Sequence, residues 1–278
     1  AHAAQLWQAL QEKKNYCFSE AGLINLQQWR FEWLKHLNKR RYQKKTGLLR
    51  LSTFEWLKLS VSEDPKIPTE DTPEARATRR ILTKINNFEV EKDVDISALK
   101  AELRPYQEIG VKWLYFLYCN GLSGFLCDEM GLGKTHQAMA LIAAMLAEGR
   151  QYYKYLVVCP TSVIYHWQAL LQKFLPAIRV YTYHGASRSL QQFEKKYDLV
   201  LTSYGILRTG REDLQKKHFD LAIFDELQNA KNQASQTHRS LKKLRTVMRL
   251  GMTGTPLENN LQELKTLFDL ILPQFLPR

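Results

Sequence analysis

Residues 97–278 predict an α/β fold in which a parallel sheet is covered by helices on both faces. Three observations carry that prediction. Short, continuously apolar runs fall at 124–127, 155–159, 178–183, 198–202, 221–224 and 248–252, as in strands buried on both sides. Stretches with helical spacing separate them, near 137–147, 162–174, 189–196, 205–211, 235–244 and 261–272. Chemically active residues gather just after the apolar runs, and open α/β sheets place their ligands at the carboxyl ends of the strands.

The stretch Asp128-Glu129-Met130-Gly131-Leu132-Gly133-Lys134-Thr135 lies between the first run and the first of these helices. Strand, glycine-rich turn and helix together are the setting of a phosphate-binding loop. Gly131 and Gly133 let the chain turn with its amides inward, and the helix N-terminus behind them adds positive potential. Lys134 is placed to meet outer phosphates, and the Thr135 hydroxyl to meet Mg²⁺. Asp128 stands where the general pattern has its first glycine.

Other strand ends carry matching chemistry. Asp225 and Glu226 close the run at 221–224; in a phosphate-loop ATPase the first holds Mg²⁺ and the second polarises water. Thr253, Gly254 and Thr255 close the run at 248–252 and offer two hydroxyls to the acidic loop, a means of sensing a γ-phosphate. Thr161 and Ser162, ahead of Trp167, and the pair Ser203-Tyr204 each read either as a helix cap or as a contact to a nucleic-acid phosphate.

The first 96 residues read as a small mixed or helical accessory region with a linker. A basic run at 35–45 is broken by Leu37 and Tyr42, Thr46-Gly47 marks a turn, and a short helix is expected at 53–59. Three prolines at 62–73 mark a join, and helical signal returns at 74–87. Net charge is +12 and excess base is spread along the chain, which suits a polyanionic partner. No apolar run reaches the roughly 18–20 residues of a membrane helix. No secretory signal is seen, and a start without Met points to a trimmed piece of a longer protein. The four cysteines lack paired spacing and read as small buried hydrophobes in a reducing compartment.

Taken together, these residues resemble a known family. Gln107 in Leu103-Arg104-Pro105-Tyr106-Gln107, the loop 128–135, 157–162 with Trp167, 201–204, 225–228 and 250–260 look like helicase motifs Q, I, Ia, Ib, II and III. Their style is that of Swi/Snf-type ATPases of helicase superfamily two, in which Asp-Glu-Met-Gly-Leu-Gly-Lys-Thr is the usual loop. The resemblance implies a RecA-like lobe over residues 97–278 that binds ATP and Mg²⁺ and tracks along double-stranded DNA. It implies that Gln107 reads adenine and that Asp128, Met130, Gly131, Leu132, Gly133, Lys134 and Thr135 line the nucleotide. Asp225, Glu226 and Gln228 would then serve catalysis, and Thr253, Gly254 and Thr255 would couple it to movement. Thr161, Ser162, Trp167, Ser203 and Tyr204 would lie near one DNA strand.

The departures are specific. Motif II reads Asp225-Glu226-Leu227-Gln228, where the family has a small third residue and usually His fourth. Gly251-Met252 alters the start of motif III, and His136 replaces an aliphatic residue after the loop. Gln228 suggests a bacterial member, hence the cytoplasm or nucleoid, with the nucleus as the eukaryotic alternative. Motifs IV to VI do not follow, so a second RecA-like lobe is an expected partner. An arginine from such a lobe is worth roughly 10³–10⁵ in rate, which leaves this piece alone nearly inactive. RNA polymerase, nucleosomes and other DNA-bound proteins are open as cargo. An RNA helicase lobe and a non-catalytic interaction module are the competing readings, and no membrane association is expected.

Overall fold

The computed structural model describes residues 2–19, 22–27, 42, 43, 48, 49, 76, 80, 81, 83–85, 93–149, 153–185, 188–209, 211–232, 235–255 and 261–272. The basic run at 35–45 apart from 42 and 43, the helix expected at 53–59, the join at 62–73 and motif III beyond Thr255 lie outside them. The backbone divides into two units, Ala1–Phe88 with Gln274–Arg278, and Glu89–Pro273.

The first unit is mixed. Helix α1 (His2–Gln11) precedes β1 (Tyr16–Ser19) and β2 (Gly22–Asn25), an antiparallel pair with Phe18 opposite Leu23. Strands β3 (Tyr42–Gln43) and β4 (Leu48–Leu49) pair antiparallel across the sequence expected to turn. Residues 76, 80, 81 and 83–85 are helical, inside the expected span.

The second unit is built on a sheet. Helix α2 (Pro105–Cys119) leads to β5 (Gly124–Leu126), α3 (Lys134–Ala147), β6 (Tyr155–Cys159), α4 (Ile164–Phe174) and β7 (Val180–Thr182). A short α5 (Phe193–Lys196) then precedes β8 (Leu199–Ser203), α6 (Tyr204–Thr209), α7 (Arg211–Gln215), β9 (His218–Phe224), α8 (Gln236–Lys242), β10 (Arg245–Met252) and α9 (Leu261–Ile271). Among the described residues the sheet has six strands in the order β5-β10-β9-β6-β8-β7, all parallel. Strand alternation divides the core. Leu156, Val158, Val200, Ala222 and Phe224 join Leu207, Leu241, Leu267 and Leu270 on one side. Residues of the opposite parity face the side of α2, α3 and α4. Ala138 to Met145 of α3 are buried all round, which explains why that helix is apolar on every side.

Several elements differ in extent from the sequence expectation. Strands β9 and β10 begin earlier, because His218 pairs with Arg245 and Phe219 with Thr246 through main chain, which needs no apolar side chain. Helix α5 is shorter than expected, and α7 follows α6 without having been anticipated. Cys159 is buried as expected, but Cys119 and Cys127 are exposed, since Cys127 already lies beyond the end of β5.

Arg249 sits inside β10 at 8% exposure, and burial pushes its pKa down to about 10. Its guanidinium donates to the carbonyls of Leu244 at 2.9 Å and Leu270 at 2.7 Å, and to the Thr246 hydroxyl at 3.1 Å. One fork thus satisfies carbonyls at the ends of α8 and α9, where a cation also complements the helix dipoles. Arg249→Met keeps the stem but strips both carbonyls of their donor. The urea midpoint should fall at unchanged slope, by the equivalent of about 1–3 kcal/mol.

Candidate active site

The strand order sets the candidate motifs side by side along one edge of the sheet. Motif I follows β5, motif III β10, motif II β9, Ia β6 and Ib β8. Parallel strands bring every carboxyl end to the same edge, so residues far apart in sequence become neighbours.

The glycine loop begins there. Gly131 and Gly133 have φ of 83° and 76°, a region that L side chains avoid. A Cβ on Gly133 would collide with the Gln107 amide, so the close approach adds a second demand for glycine. Gln107 lies in the first turn of α2, behind a proline suited to that position. Its Oε1 accepts from the Arg104 amide at 2.9 Å and its Nε2 donates to the Leu132 carbonyl at 3.0 Å. Tyr106 reinforces this clasp with a hydroxyl bond to the same carbonyl at 3.1 Å. Asp128 is explained by Gln137, whose Nε2 donates to Asp128 Oδ2 at 2.7 Å. A side chain one helical turn into α3 therefore fixes the start of the loop, as a first glycine could not.

Lys134 is 8% exposed, and its ammonium donates to the carbonyls of Asp128 at 2.7 Å and Glu129 at 3.0 Å. Thr135 is half-buried and Met130 is 65% exposed. A Cβ on Gly254 would come within 2.9 Å of Met130 Cγ and 3.6 Å of the Lys134 nitrogen. Motif III thus lies against motif I with no room for a side chain. His136 is half-buried edge-on to Phe174, with ring centroids 5.1 Å apart; burial, His166 and Lys173 lower its pKa.

The acidic pair closes β9. Burial pushes the Asp225 carboxyl up and the Glu226 charge adds to this, while the Trp167 indole, the Glu226 amide and the Lys134 ammonium hold it down. Glu226 has φ 47° and ψ 54°, a left-handed conformation rare for a residue with a side chain. That turn sends Glu226 back toward Gln228, whose Nε2 donates to Glu226 Oε2 at 2.6 Å. Thr253, fully buried, donates its hydroxyl to Gln228 Oε1 at 2.8 Å and accepts from the Thr255 amide at 3.1 Å. Motifs II and III are therefore one hydrogen-bonded chain, with Gln228 as its middle member.

The sequence of the SNF2-related domain matches residues 106–278. The chain belongs to the SNF2-related family. It is 40% identical over 186 residues to ATP-dependent helicase fft2 of Schizosaccharomyces pombe, an overlap of 63% of this chain and 14% of that protein. To Helicase SWR1 of Debaryomyces hansenii it is 36% identical over 219 residues, or 76% of this chain and 13% of that protein. The chain thus spans only a small part of these curated relatives. The solved Sulfolobus solfataricus SWI2/SNF2 ATPase core in complex with dsDNA is similar at 33% identity and TM-score 0.60, over 67% of this chain and 38% of that one. The sheet of the SNF2-related lobe is accordingly the RecA-like α/β fold. The curated relatives named are fungal, and the bacterial origin suggested by Gln228 gains no support from them.

The residues expected at DNA divide into two groups. Thr161 and Ser162 are exposed on a 3₁₀ turn ahead of α4. Trp167 and Ser203 are each 1% exposed and Tyr204 is 7% exposed, so these three side chains point into the protein. The reason is geometric. The Trp167 indole donates inward to Asp225 Oδ2, and the Tyr204 hydroxyl to the Asp225 carbonyl, each at 2.7 Å. The Ser203 hydroxyl accepts from the Ile206 amide at 3.3 Å, the cap reading of that residue. Tyr165, which the sequence reading passed over, is 71% exposed beside Thr161 and Ser162. The signal was available, since Ile164, Trp167 and Leu171 form the buried stripe of α4 and leave Tyr165 outside it.

Two departures from the family pattern also meet. A Cβ on Gly251 would sit 2.8 Å from Leu227, 3.0 Å from Ile271 and 3.0 Å from Phe125. The larger residue in motif II is accommodated by the absence of a side chain in β10. Gly251→Ala should cost about 1–3 kcal/mol through overpacking. Combined with Leu227→Ala it should cost less than the two single changes added, as a double-mutant cycle by urea unfolding will show.

The sign of the Asp225 shift gives a second test. A carboxyl raised in the folded state favours folding below its ordinary pKa, and that contribution is lost as pH rises through the folded value. Asp225→Asn should therefore raise the melting temperature of the nucleotide-free protein at pH 7. Its advantage should shrink as pH falls through the raised folded-state value, where the wild-type carboxyl takes up its proton.

Proposed function

We propose that this lobe binds ATP with Mg²⁺ and works as half of a duplex-DNA-dependent ATPase that moves along DNA and remodels the protein–DNA complexes it meets. The observation that carries the reading is the close approach of Gly254 to Met130 and Lys134, joined to the hydrogen bonds that run from Thr253 through Gln228 to Glu226. Such a chain links the group that meets the outer phosphate to the group that orients water.

The residues present fit a metal-bound triphosphate. Two glycines in left-handed turns aim main-chain amides, one buried ammonium is held among carbonyls, and a carboxylate stands at the next strand end but one. Thr135 and Asp225 would hold Mg²⁺, which when bound neutralises charge on the phosphate oxygens. Lys134 neutralises the outer phosphates, and Glu226 orients and deprotonates the attacking water. Gln228 holds Glu226 while reporting its position to Thr253. The Gln107 amide keeps one N–H and one lone pair for an adenine edge.

DNA as the activating partner is supported by the duplex in the similar solved core, by the net charge of +12 and by the exposed Thr161 and Ser162. On this reading a second RecA-like lobe would supply an arginine to the phosphates, and turnover without that arginine would be very slow. The basic accessory region at 1–96 precedes the lobe at 97–278. The site of action is the compartment that holds the duplex. No described helix is long and apolar enough to cross a membrane.

In the full chain, Lys134→Ala should abolish ATP turnover stimulated by duplex DNA. Retained stimulated turnover refutes the assignment. Stimulation of the wild type by RNA but not by duplex DNA moves the chain to the RNA helicase reading. Absence of Mg²⁺-dependent heat on ATP titration moves it to the non-catalytic one.

A further inference from the structure

Helices α4 and α6 begin at neighbouring strand ends, and each sends a buried polar group to the same residue of the acidic pair. The Trp167 N–H reaches Asp225 Oδ2 and the Tyr204 hydroxyl reaches the Asp225 carbonyl, both at 2.7 Å. Strand β6 lies between β8 and β9, so Tyr204 spans two strand spacings, about 10 Å, to make its bond. The outer surfaces of the same segments are open. Thr161, Ser162 and Tyr165 are exposed ahead of Trp167, and Gly205 and Arg208 are exposed beside Tyr204.

An indole has a single N–H on a rigid ring, and a phenol a single O–H. Neither can follow its acceptor if its helix shifts, and hydrogen bonds of this length weaken steeply with angle. The position of the Asp225 carboxylate is therefore tied to where α4 sits, and the position of its backbone to where α6 sits. The other carboxylate oxygen accepts from the Glu226 amide at 3.0 Å, so rotation of the group is opposed from both sides.

We propose that Trp167 and Tyr204 are positioning residues that couple a duplex seated on Thr161, Ser162 and Tyr165 to the Asp225 carboxylate. Through them, contact on the outside of α4 and α6 sets the geometry of the site that turns over ATP. This rests on the reading of the lobe as half of a duplex-dependent ATPase. It assigns to two buried side chains the role of transmitting the duplex, not of touching it.

The test uses the full chain and reads one ratio, ATP turnover with saturating duplex DNA over turnover without it. Trp167→Phe keeps an aromatic ring in the buried slot and deletes the N–H. A hydrogen bond to an ionised group is strong enough that the ratio should fall roughly tenfold. The KM for duplex should stay in place, since the outer contact surface is untouched. Tyr204→Phe deletes one hydroxyl from a nearly isosteric ring and is read in the same way, so a Trp167→Phe chain that fails to fold leaves the question answerable. A lower ratio in either variant, with melting temperature and duplex KM kept, supports the coupling. A merely structural role depresses both turnovers together and leaves the ratio unchanged in both variants, which overturns it. A wild type that duplex does not stimulate removes the DNA-dependent reading and the coupling together. A stimulated wild type with unchanged variant ratios removes the coupling alone.

Discussion

The amide of Gln228 is the interaction on which the candidate site depends. Its nitrogen donates to Glu226 and its oxygen accepts from Thr253, at 2.6 Å and 2.8 Å. An amide suits this post because it carries both polarities at one end of one side chain. Glu226 takes a donor from Gln228 because an ionised carboxylate can only accept. Thr253 needs an acceptor, since it is fully buried and its hydroxyl, which already accepts from the Thr255 amide, has a proton to place. A histidine, the usual residue here in the family, satisfies both partners only through two separate ring nitrogens in one tautomer. Gln228 does so without a titratable group, which frees the link between motifs from pH.

Around this link the burial of charge is graded. Asp225 is raised by burial and by Glu226, yet three groups oppose the shift: an indole N–H, a main-chain amide and a lysine ammonium. The balance leaves a carboxylate that is costly to keep dry and therefore responsive to a cation. Arg249 shows the opposite solution on β10, the strand next to the one that carries the glycine loop, with carbonyls and a hydroxyl as its named partners. It serves the scaffold, because it supplies the donor that carbonyls at helix ends lack.

Much of this was legible in the residues, and what was not has a common cause. Apolar runs located the six described strands of the parallel sheet, and the central ones are mostly apolar because they are buried on both faces. Their starts were missed at His218 and Arg245, where pairing is carried by main chain alone. Residue types also located the motifs, since Gly, Lys and paired acids have few other reasons to gather at strand ends. Direction was not legible. The side chains of Trp167, Ser203 and Tyr204 turn inward, and a one-residue step along a helix or strand, enough to exchange solvent for core, is not marked by residue type. Leu227 and Gly251 each read as an isolated irregularity, and only the packing of motif II onto β10 shows that one makes room for the other.

That pairing bears on how tightly the site is built. Gly254 against Met130, Gly251 against Leu227 and Gly133 against Gln107 are three places where two motifs touch with no side chain between them. At such distances a main chain cannot move alone, because interiors packed to crystal density transmit displacement with little slack. A phosphate drawn to Lys134 would compete with the carbonyls of Asp128 and Glu129 for its ammonium. The loop carrying them would then press on Gly254 and on the threonine bonded to Gln228. Under the proposed ATP-binding role, these contacts and the Thr253–Gln228–Glu226 hydrogen bonds give a route by which occupancy of the loop would reach Glu226.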